Sequence, residues 1–405
     1  MGAVYSQFFV KLALPSSSAT RGKTILITGA NTGLGREAAR HALNLGANVI
    51  LGVRSLSKGE EAKADIAPGD LSANVLFWPI DLESFASVRA FAARARDHVA
   101  NGGRLDAAIM NAGLASVEWI TTKDGWERGL QVNVLSTALL SLEILPVLLE
   151  ARKTHPSSSS ERPHLTILAS DIHKTAKFPE RDADGILAAL NSREQWEKTQ
   201  QVAGSTERYA ITKLLDIFVT IEIAALVPRD ERGDPLVIIN CLAPGFCKSN
   251  LLSREEGVPL IVKIILFIVG RSVEEGSKTI LHAVTQGVES HGKWIEDQII
   301  RDPGKIVTAS EMVVVRKKIW GELLAVLTMV DPELRTDAVC IDASTGQIRT
   351  MGYFAEYPRD YNGDPGTTHA DQCCVIKVAD RHNTPVGCIR EAVPVNTVLR
   401  PTMEP

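Results

Sequence analysis

A glycine-rich segment near the start of the chain constrains its fold more than any other feature. Residues 23–30 read KTILITGA, a β-branched apolar run that predicts a buried strand, and the helical pattern REAARHALNLG begins at residue 36. The turn between them carries Gly29, Gly33 and Gly35, with the spacing G-x-x-x-G-x-G. Glycines in such a turn let backbone amides approach a pyrophosphate at the N-terminus of the helix. Strand, glycine turn and helix in this order predict a dinucleotide-binding unit; the alternative is a purely structural turn.

The alternation of strands and helices then continues along the chain. Strands are predicted at residues 48–54, 75–82, 105–113, 165–170 and 236–245, and helical patterns separate them. Such alternation predicts a parallel sheet covered by helices on both faces, that is, a doubly wound α/β Rossmann fold. Ligands of these folds bind beyond the carboxyl ends of the strands. The predicted residues at that rim are Gly33, Asp81, Asn111, Ser170, Pro244 and Gly245.

The second predicted strand ends without an acidic residue. NAD-binding folds usually place an acid there, which binds the ribose hydroxyls. Val53 stands near that position in this chain, and Arg54 and Lys58 follow it. A guanidinium can bind a 2′-phosphate through two hydrogen bonds, whereas an acid would repel it. NADP is therefore favoured over NAD; the alternative is that Arg54 only extends along the surface.

A tyrosine and a lysine are spaced for acid–base chemistry on a later helix. Tyr209 and Lys213 lie four positions apart, and therefore on one helix face about one turn apart. A nearby ammonium favours the phenolate, so we expect Lys213 to bring the pKa of Tyr209 nearer neutrality. Such a pair can exchange a proton with an alcohol or a carbonyl group. The spacing occurs by chance in many helices, so its meaning depends on the strands upstream.

Taken in order, these motifs resemble the short-chain dehydrogenase/reductase family. The resemblance runs from about residue 23 to about residue 327 and rests on TGANTGLG, Asp81-Leu82, Asn111-Ala112-Gly113, Asn133, Ser170, Tyr209 with Lys213, and Pro244-Gly245. The segment ITGANTGLGREAAR, and GVRSLSKG later in the chain, are similar to segments of the retinol-dehydrogenase-like branch and of reductases of fungal secondary metabolism. Residues 291–300, HGKWIEDQII, are similar to a strand late in those fungal enzymes.

The resemblance implies a catalytic set. Tyr209 would be the general acid in reduction and the base in oxidation, and Lys213 would depress its pKa and bind the nicotinamide ribose. Ser170 would bind the substrate oxygen and stabilise its developing charge. Asn133 would anchor a water chain for proton relay. The alternatives are structural: Ser170 as a strand-end cap, and Asn133 as a partner of backbone groups in a bent helix.

The resemblance also implies an NADP site. Leu34 would pack near the cofactor, Asp81 would hold the adenine edge and Asn111 would contact the ribose region. Asp81 has an alternative interpretation as a helix N-cap. The implied cofactor contacts are Gly29, Asn31, Gly33, Leu34, Gly35, Arg54, Lys58, Asp81, Asn111, Tyr209, Lys213, Pro244 and Gly245.

Two segments depart from the ordinary family pattern. Residues 171–205, between Ser170 and Tyr209, read as an insertion with a helical pattern at 185–198. An insertion beside the site predicts a wall or lid over a roomy pocket. Residues 246–270, where the family carries its substrate loop, are rich in Leu, Ile, Val and Phe. An apolar carbonyl compound, such as a polyketide- or terpenoid-like intermediate, is therefore favoured over a sugar.

The chain divides into three regions on this basis. Residues 1–22 form a lead, 23–330 a Rossmann-type domain and 331–405 a β-rich C-terminal extension of unknown role. In the extension, residues 338–354 and 372–389 alternate in hydrophobicity and predict two β-hairpins. The six cysteines lack a paired C-x-x-C spacing, so no metal site is predicted.

Composition and charge bear on partners and compartment. The formal net charge of −4 leaves no basic excess for phosphate neutralisation, so no nucleic acid is expected as a partner. No apolar run reaches membrane-spanning length, and the most apolar window, 258–270, is expected to be a buried or lid helix. A cytoplasmic location is expected, and Gly2 with Ser6 matches a loose myristoylation pattern that would add peripheral membrane association. The family resemblance also implies that a homo-oligomer can form, with pairing through the helix that bears residues 138–149 and through the Tyr209 helix.

These inferences favour an NADP(H)-dependent oxidoreductase acting on an apolar carbonyl compound or alcohol. A sugar-nucleotide epimerase or dehydratase on the same fold is disfavoured by the apolar loop and the missing ribose acid. A non-catalytic dinucleotide-binding sensor or scaffold is disfavoured because such proteins tend to lose the tyrosine or the lysine. Substitution of Tyr209 would distinguish a sensor from an enzyme.

Overall fold

An eight-stranded sheet lies at the centre of the chain. In the computed structural model its strands are β1 Thr24–Thr28, β2 Asn48–Val53, β3 Val75–Pro79, β4 Ala107–Met110, β5 His164–Leu168, β6 Ile238–Ala243, β7 Lys293–Glu296 and β8 Ile299–Arg301. Their order across the sheet is β3-β2-β1-β4-β5-β6-β7-β8. Every neighbouring pair is parallel except β7 and β8. The predicted α/β fold with a doubly wound parallel sheet is therefore confirmed.

The structure describes most of the first 334 residues. The described residues are 10–69, 74–116, 118–154, 161–204 (without the side chains of 202 and 203), 206–248, 270–332 and 334, with the backbone of 340–341 and 348–349. All of them belong to one compact unit, Met1–Tyr353. Several predictions concern residues outside these ranges, namely acylation of Gly2, the helix at 258–270, most of the loop at 246–270 and the hairpin at 372–389.

Helices pack on both faces of the sheet. Among the described residues they are α1 Gly33–Asn44, α2 Leu56–Ile66, α3 Phe85–Ala100, α4 Arg128–Thr154, α5 Ile186–Leu190, α6 Arg193–Ala203, α7 Glu207–Leu226, α8 Val273–Ala283, α9 Lys305–Thr308 and α10 Ser310–Val330. Apolar residues of α1, α2 and α8 form one core with the sheet, and those of α3, α4, α7 and α10 form the other. Successive strand residues serve opposite faces, as Ile25 and Leu26 of β1 do. Full burial of one such side chain contributes about 1.5–3 kcal/mol.

The late segment 291–300 differs from its prediction as a single strand. It contains parallel strand β7 and antiparallel strand β8, joined at Asp297 and Gln298. These two residues have φ values of 52° and 64°. Two left-handed residues in succession make the tight turn whose twist suits a β-hairpin. The sheet therefore ends in an antiparallel edge strand, which the apolar pattern alone did not reveal.

Helix α4 carries the predicted pairing surface of a homo-oligomer. Of residues 138–149 only Pro146 is exposed, and the run shares one core with Leu323 and Leu327 of α10. Within the described ranges, α4 is the one helix long and apolar enough to cross a membrane, and 89% of its most apolar window is buried inside the chain. Such burial is typical of a core helix. Residues 138–149 are thus core residues of this chain, and the pairing of a homo-oligomer through the helices that carry them and Tyr209 stays a prediction.

A short strand pair follows α10. Its strands are β9 Cys340–Ile341 and β10 Ile348–Arg349, which pair antiparallel. The antiparallel strand pairing of the first predicted hairpin, at 338–354, is therefore confirmed.

Candidate active site

The glycine turn and the start of α1 form a backbone cradle. Gly29 and Gly33 have φ values of 67° and 62°, a left-handed conformation that glycine adopts without strain. Apart from its chain neighbours and the backbone of its own helix, no atom of the described residues lies within 4 Å of the position that a Cβ of Gly33 would take. A Cβ on Gly35 would lie 2.4 Å from Asn111 Nδ2 and 2.7 Å from the Gly29 carbonyl oxygen. Half-buried Asn31 lies in the same turn. These residues fit a dinucleotide, since an open backbone at a helix N-terminus suits a pyrophosphate.

Asn111 ties the end of β4 to this turn. Its Nδ2 donates to the Thr28 carbonyl oxygen at 2.8 Å. The backbone amides of Asn111 and Ala112 both donate to Thr28 Oγ1, at 3.0 Å each. Thr28 is missing from the predicted site, although its place at the start of TGANTGLG is a signal that could have identified it. The Asn111 side chain therefore shapes the turn, and its contact with a ribose stays a prediction.

The end of β2 carries the residues predicted to select NADP. The Arg54 side chain is 66% exposed, and its Nη1 lies 3.6 Å from Glu83 Oε1. Ser55 Oγ accepts a hydrogen bond from the Lys58 amide at 3.4 Å and so caps α2. A helix N-terminus favours a negative charge nearby. Sequence reasoning missed Glu83, which places a carboxylate beside the guanidinium.

Asp81 follows β3 at the same rim. Its Oδ1 accepts from the Glu83 amide at 3.0 Å, and its own amide donates to Ser87 Oγ at 2.9 Å. The N-cap of α3 is Ser84, whose side chain accepts from the Ser87 amide. The alternative interpretation of Asp81 as the helix N-cap is therefore wrong. Its contact with an adenine stays a prediction.

Asn133 is buried in a π-helical turn of α4, Gln131–Leu135. Its Oδ1 accepts from the Leu114 amide at 2.9 Å, and its Nδ2 donates to the Leu114 carbonyl oxygen at 2.8 Å. The same Nδ2 donates to Thr212 Oγ1 at 3.0 Å. Single π-helical turns are frequent at functional sites. The side chain thus joins the loop after β4 to α7, and the water chain implied by the resemblance stays a prediction.

Tyr209 and Lys213 lie in the first two turns of α7. Lys213 Nζ is 5.8 Å from the centre of the Tyr209 ring. It donates to the Leu168 carbonyl oxygen at the end of β5 and to Asp216 Oδ2, at 2.8 Å each. The ammonium is therefore held at the carboxyl ends of the strands, where the alternation of strands and helices predicts the site.

Gly113 completes this arrangement. A Cβ there would lie 3.3 Å from Asn133 Oδ1 and 3.4 Å from Lys213 Nζ. Both contacts are close for a carbon atom, so the missing side chain leaves room for the amide and the ammonium together. The structure therefore brings Asn133 and Lys213 to one point at the end of β4.

Ser170 lies two residues beyond β5 and is half-buried. Its Oγ accepts from the Ile172 amide at 3.3 Å and donates to Asp171 Oδ1 at 3.3 Å. The side chain therefore caps the short 3-10 helix Asp171–Thr175, as the structural alternative predicts. A second role toward a substrate oxygen stays a prediction.

Burial dominates the proton affinity of Tyr209. It raises the pKa of Tyr209 above its ordinary value, and Lys213 opposes this shift without reversing it. The charges of Asp216 and Asp171 raise the pKa of Tyr209 further. The expectation that Lys213 brings this pKa nearer neutrality is therefore wrong for the chain by itself. Tyr209 is protonated at neutral pH.

Lys213 keeps its charge despite being buried. Burial lowers the pKa of Lys213, but the charge of Asp216, with smaller contributions from Tyr209 and from the hydrogen bond to Asp216, outweighs this effect and leaves the pKa raised. Burial also raises the pKa of Asp216 to about 6, with Lys213 opposing it. At neutral pH the two side chains therefore form a buried ion pair.

The insertion folds against the start of α7. It contains the helices α5 and α6, which fall in and beside the helical pattern predicted at 185–198. Glu207 Oε1 accepts from the backbone amides of Lys177 and Phe178, at 2.7 and 2.9 Å. Phe178 is fully buried at a φ of 50°. The insertion is therefore anchored two residues before Tyr209 in the chain.

Pro244, Gly245 and Leu34 meet near α8. Gly245 has a φ of 80°, and the Pro244 carbonyl oxygen accepts from Cys247 Sγ at 3.4 Å. A Cβ on Gly276 would lie 3.0 Å from Leu34 Cδ2 and 2.3 Å from Cys247 Sγ. The start of α1 and the chain after β6 therefore approach one another across the glycine of α8.

Comparison with known proteins shows which sequences and folds this chain is similar to. The sequence family described as short chain dehydrogenase matches residues 23–155. A short chain dehydrogenase/reductase of Cryptosporiopsis sp. is 39% identical over 338 residues, which cover 82% of this chain and 98% of that protein. A short chain dehydrogenase of Emericella nidulans is also 39% identical, over 73% of this chain and 90% of that protein.

The solved structures bear on the fold. An uncharacterized protein from Mycobacterium paratuberculosis shares it with a TM-score of 0.54 and 21% identity, over 78% of this chain and 98% of that one. The sequence relatives show the family as well as the fold, because 39% identity extends over nearly the whole length of the Cryptosporiopsis protein. This chain therefore belongs to the short-chain dehydrogenase/reductase family, whose members are oxidoreductases that use nicotinamide dinucleotides.

Proposed function

We propose that this chain is an NADP(H)-dependent oxidoreductase that interconverts a carbonyl group and an alcohol on an apolar small molecule. One observation carries the proposal: Tyr209 lies one helical turn before a buried, charged Lys213 that is bonded to the end of β5. A proton donor and a cation at the strand ends are the groups that carbonyl reduction requires.

The proposed cofactor site uses the cradle and the end of β2. Gly29, Gly33 and Gly35 would bind the pyrophosphate through their backbone, and Arg54 with Lys58 would bind the 2′-phosphate. The remaining proposed contacts are Asn31, Leu34, Asp81, Asn111, Pro244 and Gly245. When bound, a reduced nicotinamide supplies the hydride that the carbonyl carbon accepts.

Tyr209 is the proposed proton donor. As the carbonyl carbon gains a hydride, the carbonyl oxygen takes the phenolic proton and becomes a hydroxyl group. Because burial raises the pKa of Tyr209, the phenol enters the reaction protonated, which favours reduction at neutral pH. Lys213 would stabilise the phenolate left behind, and Ser170 would donate a hydrogen bond to the same substrate oxygen. Asn133 would hold the relay that returns a proton to Tyr209.

The proposed substrate class rests on the apolar residues 246–270 and on the insertion 171–205 beside the site. A polyketide- or terpenoid-like ketone or aldehyde fits such surroundings better than a sugar does. The proposed domain is 23–330, with 331–405 as a C-terminal extension. The proposed location is the cytoplasm, where NADPH is supplied.

The test is an assay of NADPH oxidation against a panel of apolar ketones and aldehydes, with products identified by mass. We expect turnover by the wild type and a loss of at least about 100-fold in Tyr209→Phe, the usual scale for removing a general acid. NADPH affinity, measured by fluorescence titration, should stay within about twofold, since the hydroxyl is not proposed to dominate binding. Turnover retained at the wild-type rate by Tyr209→Phe would contradict the role proposed for Tyr209. A wild type that binds NADPH but reduces no compound of the panel would favour a sensor or scaffold.

A further inference from the structure

We propose that Asp216 is a positioning residue of this site, whose buried carboxylate keeps the Lys213 ammonium charged and fixed beside Tyr209. The inference rests on the proposed function, because it concerns the same acid–base pair. Asp216 belongs to none of the motifs that predict the site, and only its place three residues after Lys213 marks it in the sequence.

The contact is buried and specific. Asp216 is 1% exposed and Lys213 is 5% exposed, and Asp216 Oδ2 lies 2.8 Å from Lys213 Nζ. The other carboxylate oxygen, Oδ1, is buried without a hydrogen-bond partner among the described residues. Burying an unpartnered polar atom costs free energy. An apolar residue would avoid that cost at this position of α7, so the carboxylate is explained by what it does for Lys213.

The hydrogen bonds of the Lys213 ammonium leave one of its donors available to a ligand. An ammonium has three N–H donors. Among the described residues, Lys213 Nζ uses two of them, for the Leu168 carbonyl oxygen and for Asp216 Oδ2. The absence of a side chain at Gly113 leaves space beside the nitrogen. Two acceptors that converge from β5 and α7 thus fix the nitrogen and leave one donor for a ribose hydroxyl.

Asp216 also decides the charge of Lys213. Burial by itself lowers the pKa of Lys213, and the charge of Asp216 is the largest of the three effects that reverse this; its hydrogen bond to Lys213 is another. The other titratable groups that interact with the pair are Tyr209 on α7 and Cys241 on β6, and Asp171 after β5 interacts with Tyr209. Burial raises the pKa of Cys241 to about 12, so this thiol stays neutral in the working range. Without Asp216 the buried ammonium would lose its proton at a lower pH.

The experiment compares Asp216→Asn with the wild type in two pH series. One series measures kcat for reduction of a carbonyl compound that the wild type accepts, and the other measures the Kd of NADPH by fluorescence in the absence of that compound. Both quantities are expected to deteriorate as Lys213 deprotonates. In Asp216→Asn we expect both alkaline midpoints to move down by at least about one pH unit, the scale of a buried charge losing its partner.

Two variants serve as controls. Asp216→Glu keeps the negative charge, so its midpoints should stay near those of the wild type even where the rate falls. Asp230→Asn breaks the ion pair between Asp230 and Arg162 (2.8 Å). Arg162 precedes β5 and Asp230 precedes β6, so this pair lies at the opposite end of the strands. It should move neither midpoint. If Asp216→Asn does not fold, Asp216→Ala replaces it, because alanine removes the carboxylate without adding a polar group to bury.

The outcomes separate this inference from the proposed function. A midpoint of either series that stays at the wild-type pH in Asp216→Asn overturns the inference, because a structural role alone would lower the rate equally at every pH. A wild-type protein that binds no NADPH and reduces no carbonyl compound contradicts the proposed function itself.

Discussion

Arg54 and Glu83 form an exposed ion pair where a 2′-phosphate is proposed to bind. The two charged groups are 3.6 Å apart, and the Arg54 side chain is 66% exposed. An ion pair of this kind contributes about 0–1 kcal/mol. A hydrogen bond between charged groups contributes about 1.5–3 kcal/mol. A phosphate would therefore displace Glu83 from the guanidinium, and Glu83 would act as a weak competitor.

The Arg54 prediction concerns cofactor preference. Arg54→Ala should lower the ratio of NADPH to NADH affinity by roughly 10- to 100-fold, because it removes a charged hydrogen bond. Glu83→Gln should strengthen NADPH binding by roughly two- to fivefold and leave NADH binding nearly unchanged. Fluorescence titrations with both dinucleotides measure the ratio. Arg193→Ala, an exposed arginine on α6, is the control, and an unchanged ratio in Arg54→Ala would show that another group reads the phosphate.

At the scale of elements, α10 holds the insertion in place. Glu322 of α10 accepts from the backbone amides of Ile186 and Leu187, at 3.0 and 2.7 Å, and so caps α5. Lys318 donates to the Ala183 carbonyl oxygen at 2.7 Å. Arg316 and its neighbour Lys317 bind Glu222 of α7. A helix late in the chain thus fastens both the insertion and the helix that carries Tyr209.

The Glu322 prediction tests this fastening. Glu322→Ala leaves two amides at the start of α5 without their acceptor, which should lower the free energy of unfolding by about 1–3 kcal/mol. It should also speed proteolytic cleavage within residues 171–205, because the insertion loses its anchor on α10. Urea denaturation and limited proteolysis measure the two effects. Glu311→Ala, at an exposed position of the same helix, should change both much less; equal effects would contradict the role of Glu322.

At the scale of the whole molecule, a buried acidic group joins three helices. Glu143 of α4 is 6% exposed and hydrogen-bonded to Asp331, which follows α10. Arg96 and Arg89 of α3 pair with Glu143 and Asp331, at 3.7 and 3.0 Å. Burial raises the pKa of Glu143 from 4.5 to about 7, with Asp331 adding to the shift and the two arginines opposing it. The chain therefore closes over a carboxyl group that is half-protonated near neutral pH.

This carboxyl group should make stability depend on pH. The folded chain keeps a proton that the unfolded chain releases above about pH 4.5, so the stabilisation is complete below that pH and is lost as the pH rises through about 7. A shift of this size corresponds to about 3 kcal/mol, at 1.36 kcal/mol for each pKa unit. Glu143→Gln, which stays neutral, should flatten the dependence between pH 4.5 and 7 in urea denaturation. Glu150→Gln, exposed on the same helix, is the control; an unflattened curve in Glu143→Gln would exclude this carboxyl group as the cause.

Much of the fold and of the rim followed from local patterns. The apolar runs at β1 to β6, the glycine turn and the capped helices depend on residues close in sequence, and the structure has them in the predicted order. Parallel strands bring their carboxyl ends to one edge, so Asp81, Asn111 and Ser170 were predicted to share it without any knowledge of distances. The hairpin at Asp297 and Gln298 escaped prediction because Gln298 stands where a glycine or an asparagine is usual in such a turn.

The sequence by itself determined the types of the elements, their order, and the rim to which they bring Tyr209 and Lys213, because periodicity and turn chemistry are local. Only the tertiary structure decided the protonation states of the site residues and the side chains with which they pair. Burial, set by distant segments, reversed the expected direction of the Tyr209 pKa, and the apolar run of α4 became part of a core to which α10 also contributes. The pairing of Lys213 with Asp216 became visible only when β5 and α7 enclosed both side chains, because desolvation depends on everything packed around a group rather than on its neighbours in sequence.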